Sequence, residues 1–413
     1  MSNTQNEQPQ PTGGDDAPSV AERLDLYARA GGIVTPILTA LLAFLIGGLV
    51  VLASGSNPLS TYRAIFNGTG LNWLFPWVTG ADRTLAATNL QQTLLLMTPL
   101  ILCGLAVAFA YRCGMFNIGG QGQYTVGTVM SVWVASAFVG MNGPLHIFLA
   151  IVVGTVCGGL WAGIAGFLKA TVGAHEVIST IMLNWIAYWL ASWAFGLGGP
   201  LQSHALGSSV PVSHDIQPNT HLPVFWGDPV LQGLHIGFFV ALAMLVVYSL
   251  TLNRTTLGFS VRAVGFNPEA ARYGGIGVAR NYFTAMAISG MFAGLAGAID
   301  ILGWEFHINV NDIQASSVGF TAIAVALLGR NTAVGVFFSA LLFAALVNGT
   351  STRHLDPTVF RPDLAGNLTL IIQGLVVLFV GADVLVLWVW NQRKKIRLKR
   401  HALAASAGTA VIR

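Results

Sequence analysis

Long apolar runs separated by mostly short polar connections dominate the chain. A helix needs roughly 20 apolar residues to cross a hydrocarbon core about 30 Å thick. Runs of that kind lie at Ile33–Ala53, Gln91–Tyr111, Phe116–Val139, Leu145–Leu168, Val177–Gly198, Leu234–Leu252, Tyr282–Leu302, Val334–Asn348 and Leu368–Trp390, with a shorter piece at Ser316–Leu328. The pattern predicts an all-α fold, a polytopic transmembrane helical bundle of about ten spans. Two places are irregular. As helix, Ser316–Leu328 covers only about 20 Å, too little to cross without tilt or a paired half-helix. The third run opens with FNIGGQGQ (Phe116–Gln123), which suits either a broken helix start lining a polar cavity or an ordinary capped entry. Whether 116–123 and 316–328 are re-entrant pieces or parts of full spans stays open. The pairs Gly154/Gly158, Gly159/Gly163 and Gly290/Gly294 predict close approach between helices.

The polar segments divide the chain into a disordered tail at 1–30, a membrane domain at 31–392 and a basic tail at 393–413. No cleavable signal peptide is visible in the first residues, which are rich in Gln, Pro, Gly and Asp. A cytoplasmic N-terminus puts 16 of the 20 Lys and Arg residues inside and leaves Arg63, Arg83, Arg353 and Arg361 outside. That split obeys the positive-inside rule. An even span count returns the C-terminus to the cytoplasm, where its basic cluster can meet anionic lipid. Two sizeable connections fall outside: Ser54–Asn89, with Trp73, Phe75, Pro76 and Trp77, and Gly199–Gln232. Their aromatics mark the membrane interface or, alternatively, a docking surface. The one long inner connection is Asn253–Asn281.

Composition narrows the chemistry. Only 9% of residues are charged and 54% are hydrophobic, whereas soluble domains carry about 25% charged residues. Cys103, Cys113 and Cys157 sit in or beside apolar runs without paired spacing, so they read as core residues and not as disulfides or metal ligands. Neither a metal nor a cofactor is expected, and no nucleic-acid partner. A phosphate-binding P-loop needs Gly-Lys before Ser or Thr; the four lysines follow Leu168, Arg393, Lys394 and Leu398. The chain is therefore expected not to be an enzyme, and ATP hydrolysis, if used, belongs to another subunit. His175-Glu176, the one adjacent titratable pair beside a span, is explained by a helix start.

The inner connection holds a short helical stretch, Pro268–Tyr273. Asn267 can cap it, Pro268 takes its first position, Glu269 its first turn, and Gly274-Gly275 stops it. Such a turn suits a groove on another protein; a solvated basic loop is the plainer reading. The stretch GFNPEAARYGGI followed by AISGMFAGLAGAI resembles the coupling-helix region of permease subunits of bacterial ATP-binding-cassette importers. The branch concerned handles simple sugars, nucleosides and branched-chain amino acids, and the nucleoside type is nearest. FNIGGQGQ, HEVISTIMLNWIA (His175–Ala187), IAVALLGRN (Ile323–Asn331) and IIQGLVVLFVGAD (Ile371–Asp383) extend the resemblance from about Gln91 to Asp383.

The resemblance implies a permease in the bacterial cytoplasmic (inner) membrane, paired with a second permease, identical or homologous. It implies two cytoplasmic ATP-binding subunits and an extracytoplasmic solute-binding protein that delivers a small-molecule solute. Asn267, Pro268, Glu269, Ala270, Arg272 and Gly275 would sit at the ATPase contact. Many relatives carry Glu where Gln121 stands and an acid where Thr321 stands; both departures make the path less anionic and fit a neutral polar solute, a nucleoside first. Full charges are nearly absent from span centres, with Asp300, Glu305 and Asp312 toward the ends. The neutral polar set Asn117, Gln121, Gln123, Asn184, Ser316 and Thr321, with Trp185 for stacking, is the candidate solute path. Interhelical hydrogen bonding is the plainer account of the same residues. The rival class is an ion-coupled secondary transporter of a sugar or nucleoside, which usually needs a mid-membrane acid or histidine.

Overall fold

The computed structural model describes residues 40–351 apart from 54, 205–209 and 229–232, together with 37, 367, 370–375 and 378. Both expected tails, Arg353, Arg361 and most of the run at Leu368–Trp390 lie outside the described residues.

The apolar runs become helices. They are α1 (Ala40–Ala53), α3 (Gly80–Arg112), α4 (Gly120–Ala137), α5 (Gly143–Val172), α6 (Glu176–Phe195), α7 (Gly237–Arg254), α10 (Val278–Asp300), α12 (Val318–Leu328) and α13 (Ala333–Gly349). Three shorter helices sit between them: α2 (Pro58–Thr69), α8 (Thr256–Phe266) and α9 (Pro268–Tyr273), and α11 (Val310–Ala315) precedes α12. Among the described residues six helical stretches are long and apolar enough to cross a membrane: α3, α5, α6, α7, Val278–Glu305 and Val310–Leu328. The last corrects the isolated short piece expected at Ser316–Leu328. A capping box between Asn309 and Asp312 starts α11, the chain breaks at Ser316-Ser317, and α12 completes a stretch of 19 residues.

The all-α expectation also needs amending. The connection after α6 carries a small antiparallel hairpin, β1 (Val224–Trp226) with β2 (Leu234–His235). Residue alternation is too short there to have signalled strands.

α3 and α10 form the buried axis of the bundle. α10 lies against α4 and α5 through backbone contact. A Cβ added at Gly294 would stand 2.5 Å from the Gly154 carbonyl oxygen, and one at Gly158 would stand 2.6 Å from Gly294 Cα. The small-residue spacing read from the sequence is therefore a helix-crossing device. α10 ends in a π turn, Ile301–Glu305, and Phe306 follows with φ 59°, a left-handed conformation rare for a bulky residue. Its ring stacks on His221 at 4.0 Å.

α2 is held by its last turn, whose carbonyls a helix leaves without internal partners. Asn89 Nδ2 donates to Asn67 O (3.2 Å), Asn348 Nδ2 to Gly68 O (3.2 Å) and Thr93 Oγ1 to Thr69 O (2.7 Å). Side chains from α3 and α13 thus fasten α2 against the start of α3.

Candidate functional site

The connection Asn253–Asn281 is more ordered than a loop. α8 fills its first half, capped by Thr255, whose Oγ1 accepts from Gly258 N. Asn267 then ends α8 and starts α9: its Oδ1 accepts from Glu269 N and Ala270 N, both at 3.0 Å. Pro268 occupies the first position, Glu269 the first turn and Arg272 the last, so both charges complement the helix dipole. Gly275, at φ +80°, turns the chain away. These are the bounds read from the sequence.

In α9 only Ala271 is buried; Asn267, Pro268, Glu269, Ala270, Arg272 and Gly275 are all exposed. Two aromatics that the sequence reading passed over flank the turn, Phe266 at 91% exposure and Tyr273 at 94%. Large rings standing free beside a charged turn are the side chains that anchor protein interfaces. Their signal was present: both lie outside every apolar run.

Beneath α9 the floor is firm. Gly265 of α8 packs so closely on the end of α3 that a Cβ there would stand 2.3 Å from Arg112 O. Arg112 in turn donates through Nε (3.1 Å) and Nη2 (2.8 Å) to Asn331 O, which also accepts from Tyr248 Oη (2.8 Å). Asn331 and Arg330 make the tight turn between α12 and α13 with φ 53° and 51°. α9 is therefore joined through α8 to α3, α7 and the α12–α13 turn by close packing and hydrogen bonds.

The candidate path residues mostly form a polar seam inside the bundle. Residues 115–119 are not helical, and α4 begins at Gly120, four residues after the expected start at Phe116. Asn117 accepts from Gly119 N (2.9 Å), exchanges bonds with Gln123 (2.9 and 3.0 Å) and donates to Ser289 Oγ (2.7 Å). Asn184 of α6 accepts from Gly122 N (2.8 Å) and donates to Ile118 O (2.9 Å). Gln121 accepts from Gly319 N (2.8 Å) and donates to Ser316 Oγ (3.2 Å). The broken start of α4 is thus stitched to α6, α10 and α12 by amides that both donate and accept. Thr321 sits half-buried one turn into α12, and Trp185 lies exposed on α6. The structure gathers Asn117, Gln121, Gln123, Asn184 and Ser316 and leaves Trp185 apart.

Beside the seam is an acid whose setting the sequence did not reveal. Asp300 stands at the end of α10, as expected, yet is only 3% exposed. It accepts from Tyr124 Oη (2.5 Å) and Trp304 Nε1 (2.7 Å). Glu305, Asp312, Tyr124, Thr125, Thr128 and Ser316 line a pocket of about 10 Å³, room for one water at most. Asp300 is met by Tyr124 of α4, 176 positions away, and by Trp304 of the π turn that follows α10. Lys169 and Glu176 pair at 2.9 Å across the α5–α6 turn, which accounts for Glu176 as a helix-start residue. Among the described residues no group of three or more His, Cys, Asp or Glu could hold a metal.

Comparison with known proteins bears on this arrangement directly. The family described as branched-chain amino acid transport system / permease component matches residues 89–381. The guanosine ABC transporter permease NupP of Bacillus subtilis is 36% identical over 379 residues, covering 90% of this chain and 99% of its own length. The nucleoside ABC transporter permease NupB of Lactococcus lactis subsp. cremoris is 30% identical, covering 86% and 92%. The glucose ABC transporter permease TsgB13 of Haloferax volcanii is 33% identical, covering 84% and 86%. No solved structure matches the chain. With a membrane bundle and a match across most of its length, the chain belongs to the family of branched-chain amino acid transport system permease components, and as a permease subunit it is not itself an enzyme.

Proposed function

We propose that this chain is the permease of an ABC importer that brings nucleosides into the cytoplasm across the bacterial cytoplasmic membrane. The observation that carries the reading is the agreement over 99% of the length of a guanosine permease, joined to an exposed, doubly capped α9 resting on a rigid floor. In this reading separate ATP-binding subunits grip Asn267, Pro268, Glu269, Ala270, Arg272 and Gly275, with Phe266 and Tyr273 as anchors. Their closure on ATP moves α8 and α3, and the path opens alternately to each side. A solute-binding protein feeds the outer face, and a second permease completes the path.

The same reading takes about ten crossings, a tail at 1–30, a membrane domain at 31–392, a basic tail at 393–413, and both termini inside. Gln121, Ser316 and Thr321 border the path, while Asn117, Gln123 and Asn184 hold its wall in shape. Trp185 reaches solute where a second permease closes against α6. The ion-coupled alternative loses its support: the relatives are ABC permeases, and the buried Asp300 has both carboxylate oxygens bonded.

The test is uptake of radiolabelled guanosine by the full transporter in proteoliposomes. Glu269→Ala and Arg272→Glu are expected to lower ATP-driven uptake at least tenfold at normal membrane abundance. Full uptake by both variants would refute the role of α9. Guanosine accumulation by the chain alone under an ion gradient would instead restore the rival class.

A further inference from the structure

At the end of α3 opposite to α8 and α9 lies a cavity of about 1010 Å³. α3 is 33 residues long, so roughly 50 Å of helix separates the two features. The cavity is a groove between α2 and the start of α3, lined among others by Arg63, Asn67, Asn72, Phe75, Trp77 and Asp82.

Its walls have a definite chemistry. Phe66, Phe75 and Trp77 form a ladder of rings, with centroids 6.2 Å apart for the first pair and 4.6 Å for the stacked second pair. The ladder ends on Trp77, which is 73% exposed, so an unoccupied ring face looks into open space. Arg63 and Asp82 make no hydrogen bond or ion pair among the described residues, leaving a free donor fork and a free acceptor. Asn72 lines the same groove with a buried Oδ1 that has no hydrogen-bond partner; such orphans are rare and call for a physical explanation. Rotation of its amide toward the groove would let a ligand N–H or O–H satisfy it.

The groove is also rigid. Its α2 wall is fastened by the bonds from Asn89, Thr93 and Asn348 described above. Trp73 at its back stacks obliquely on Trp226 of the hairpin at 5.3 Å and carries Arg83 over its ring at 5.4 Å. Preformed walls lower the ordering cost of binding. A flat ring to extend the stack, flanked by groups that both donate and accept, is the complement of this lining.

We propose that the α2–α3 groove is an extracytoplasmic subsite for a purine nucleoside, with the base stacked on Trp77 and polar edges met by Arg63, Asp82 and Asn72. This deepens the nucleoside reading and rests on it. The groove would hold solute at the outer face before the path opens.

The experiment uses the complete transporter in lipid nanodiscs without its solute-binding protein. Equilibrium dialysis measures bound guanosine for the native chain, Trp77→Leu and Trp77→Phe, and parallel proteoliposomes measure uptake. Because Trp77 is so exposed, Trp77→Leu is expected to keep the native gel-filtration profile. It should weaken guanosine binding at least tenfold and raise KM for uptake more than it lowers kcat, and Trp77→Phe should restore most of the binding. Guanosine binding and KM unchanged in Trp77→Leu would overturn the subsite while native uptake leaves the nucleoside reading intact. Loss of affinity for the solute-binding protein with guanosine binding unchanged would overturn it in favour of a docking face. A native transporter that neither binds nor carries guanosine would fail at the nucleoside reading itself, and the subsite would fall with it.

Discussion

The two ends of α3 are built on opposite principles. At the α9 end the structure is specified locally: one Asn, one Pro and two Gly residues set a six-residue helix whose polar face belongs to nothing else in the chain. At the α2 end Asn57, Pro58 and Gly70 bound the helix in the same local way, but its place in the fold is set from afar. The last turn of α2 is held by side chains that arrive from up to 280 positions away, and the hairpin beside it closes on residues from α3 and the end of α10. Under the proposed coupling role, the contrast separates a part to be gripped and moved from a part that keeps its shape.

The strongest way to break this comparison is to loosen the α9 end where it is meant to be stiff. Valine at Gly265 would drive its Cβ into Arg112 O, already only 2.3 Å from a built Cβ. The clash is with backbone and cannot be relieved by a rotamer change. Gly265→Val is expected to lower ATP-driven uptake at least thirtyfold, and Gly265→Ala, which carries the same Cβ, to impair it severely as well. The complex should still hydrolyse ATP, because the ATPase subunits are intact, but without acceleration by loaded solute-binding protein. Normal uptake by Gly265→Val would mean that α9 acts on the bundle by a route other than α8 and α3.

That asymmetry also explains what could be read in advance. The long apolar helices followed from hydrophobic length, close helix approach at the glycines of α5 and α10 from their spacing, and α9 from capping chemistry, because each signal lies within one turn or one helix of its effect. α2 and α8 were read as loop because each is amphipathic and short, and its apolar face is completed only by distant partners. The neutral amides were recognised as candidates, but their pairing was not: Gln121 meets Gly319 and Ser316 across nearly 200 residues. Phe266 and Tyr273 were missed for a different reason. Exposed aromatics look like ordinary interface anchors in a membrane protein until the structure shows them beside a capped turn.

A smaller effect is expected at the hairpin packed beside α3. His235 is 1% exposed and its Nδ1 accepts from Gly237 N at 3.1 Å, while burial pushes its pKa from 6.5 down to about 4. The unfolded chain takes up this proton near pH 6.5 and the folded chain only near pH 4. Between those values the unfolded state binds more protons, so stability falls as pH is lowered through the window. A shift of this size corresponds to about 3 kcal/mol by pH 4. The thermal midpoint of the purified chain should drop over that range, and His235→Gln should flatten the drop. An identical pH profile in the variant would show that His235 is not the group responsible.

The finest test compares the two asparagine caps. Asn267 starts α9 and Asn57 starts α2, where its Oδ1 accepts from Leu59 N at 2.9 Å. Replacing such a cap by Ala costs about 1 kcal/mol, a factor of roughly five in a local equilibrium. In α9 there is little else to compensate: the helix has six residues, buries one side chain and is otherwise held by the backbone bonds that close its last turn. Asn267→Ala should therefore populate an uncapped turn, and the apparent affinity for the ATP-binding subunits should fall by up to that factor. Asn267→Asp, which keeps an acceptor at the same place, should restore it. In α2 the same loss meets three long-range bonds at the other end of the helix. Asn57→Ala is therefore expected to leave uptake within about a factor of two of native. Equal effects at the two positions would erase the distinction, because it would mean that α9 has supports beyond its own cap or that α2 lacks the ones it displays.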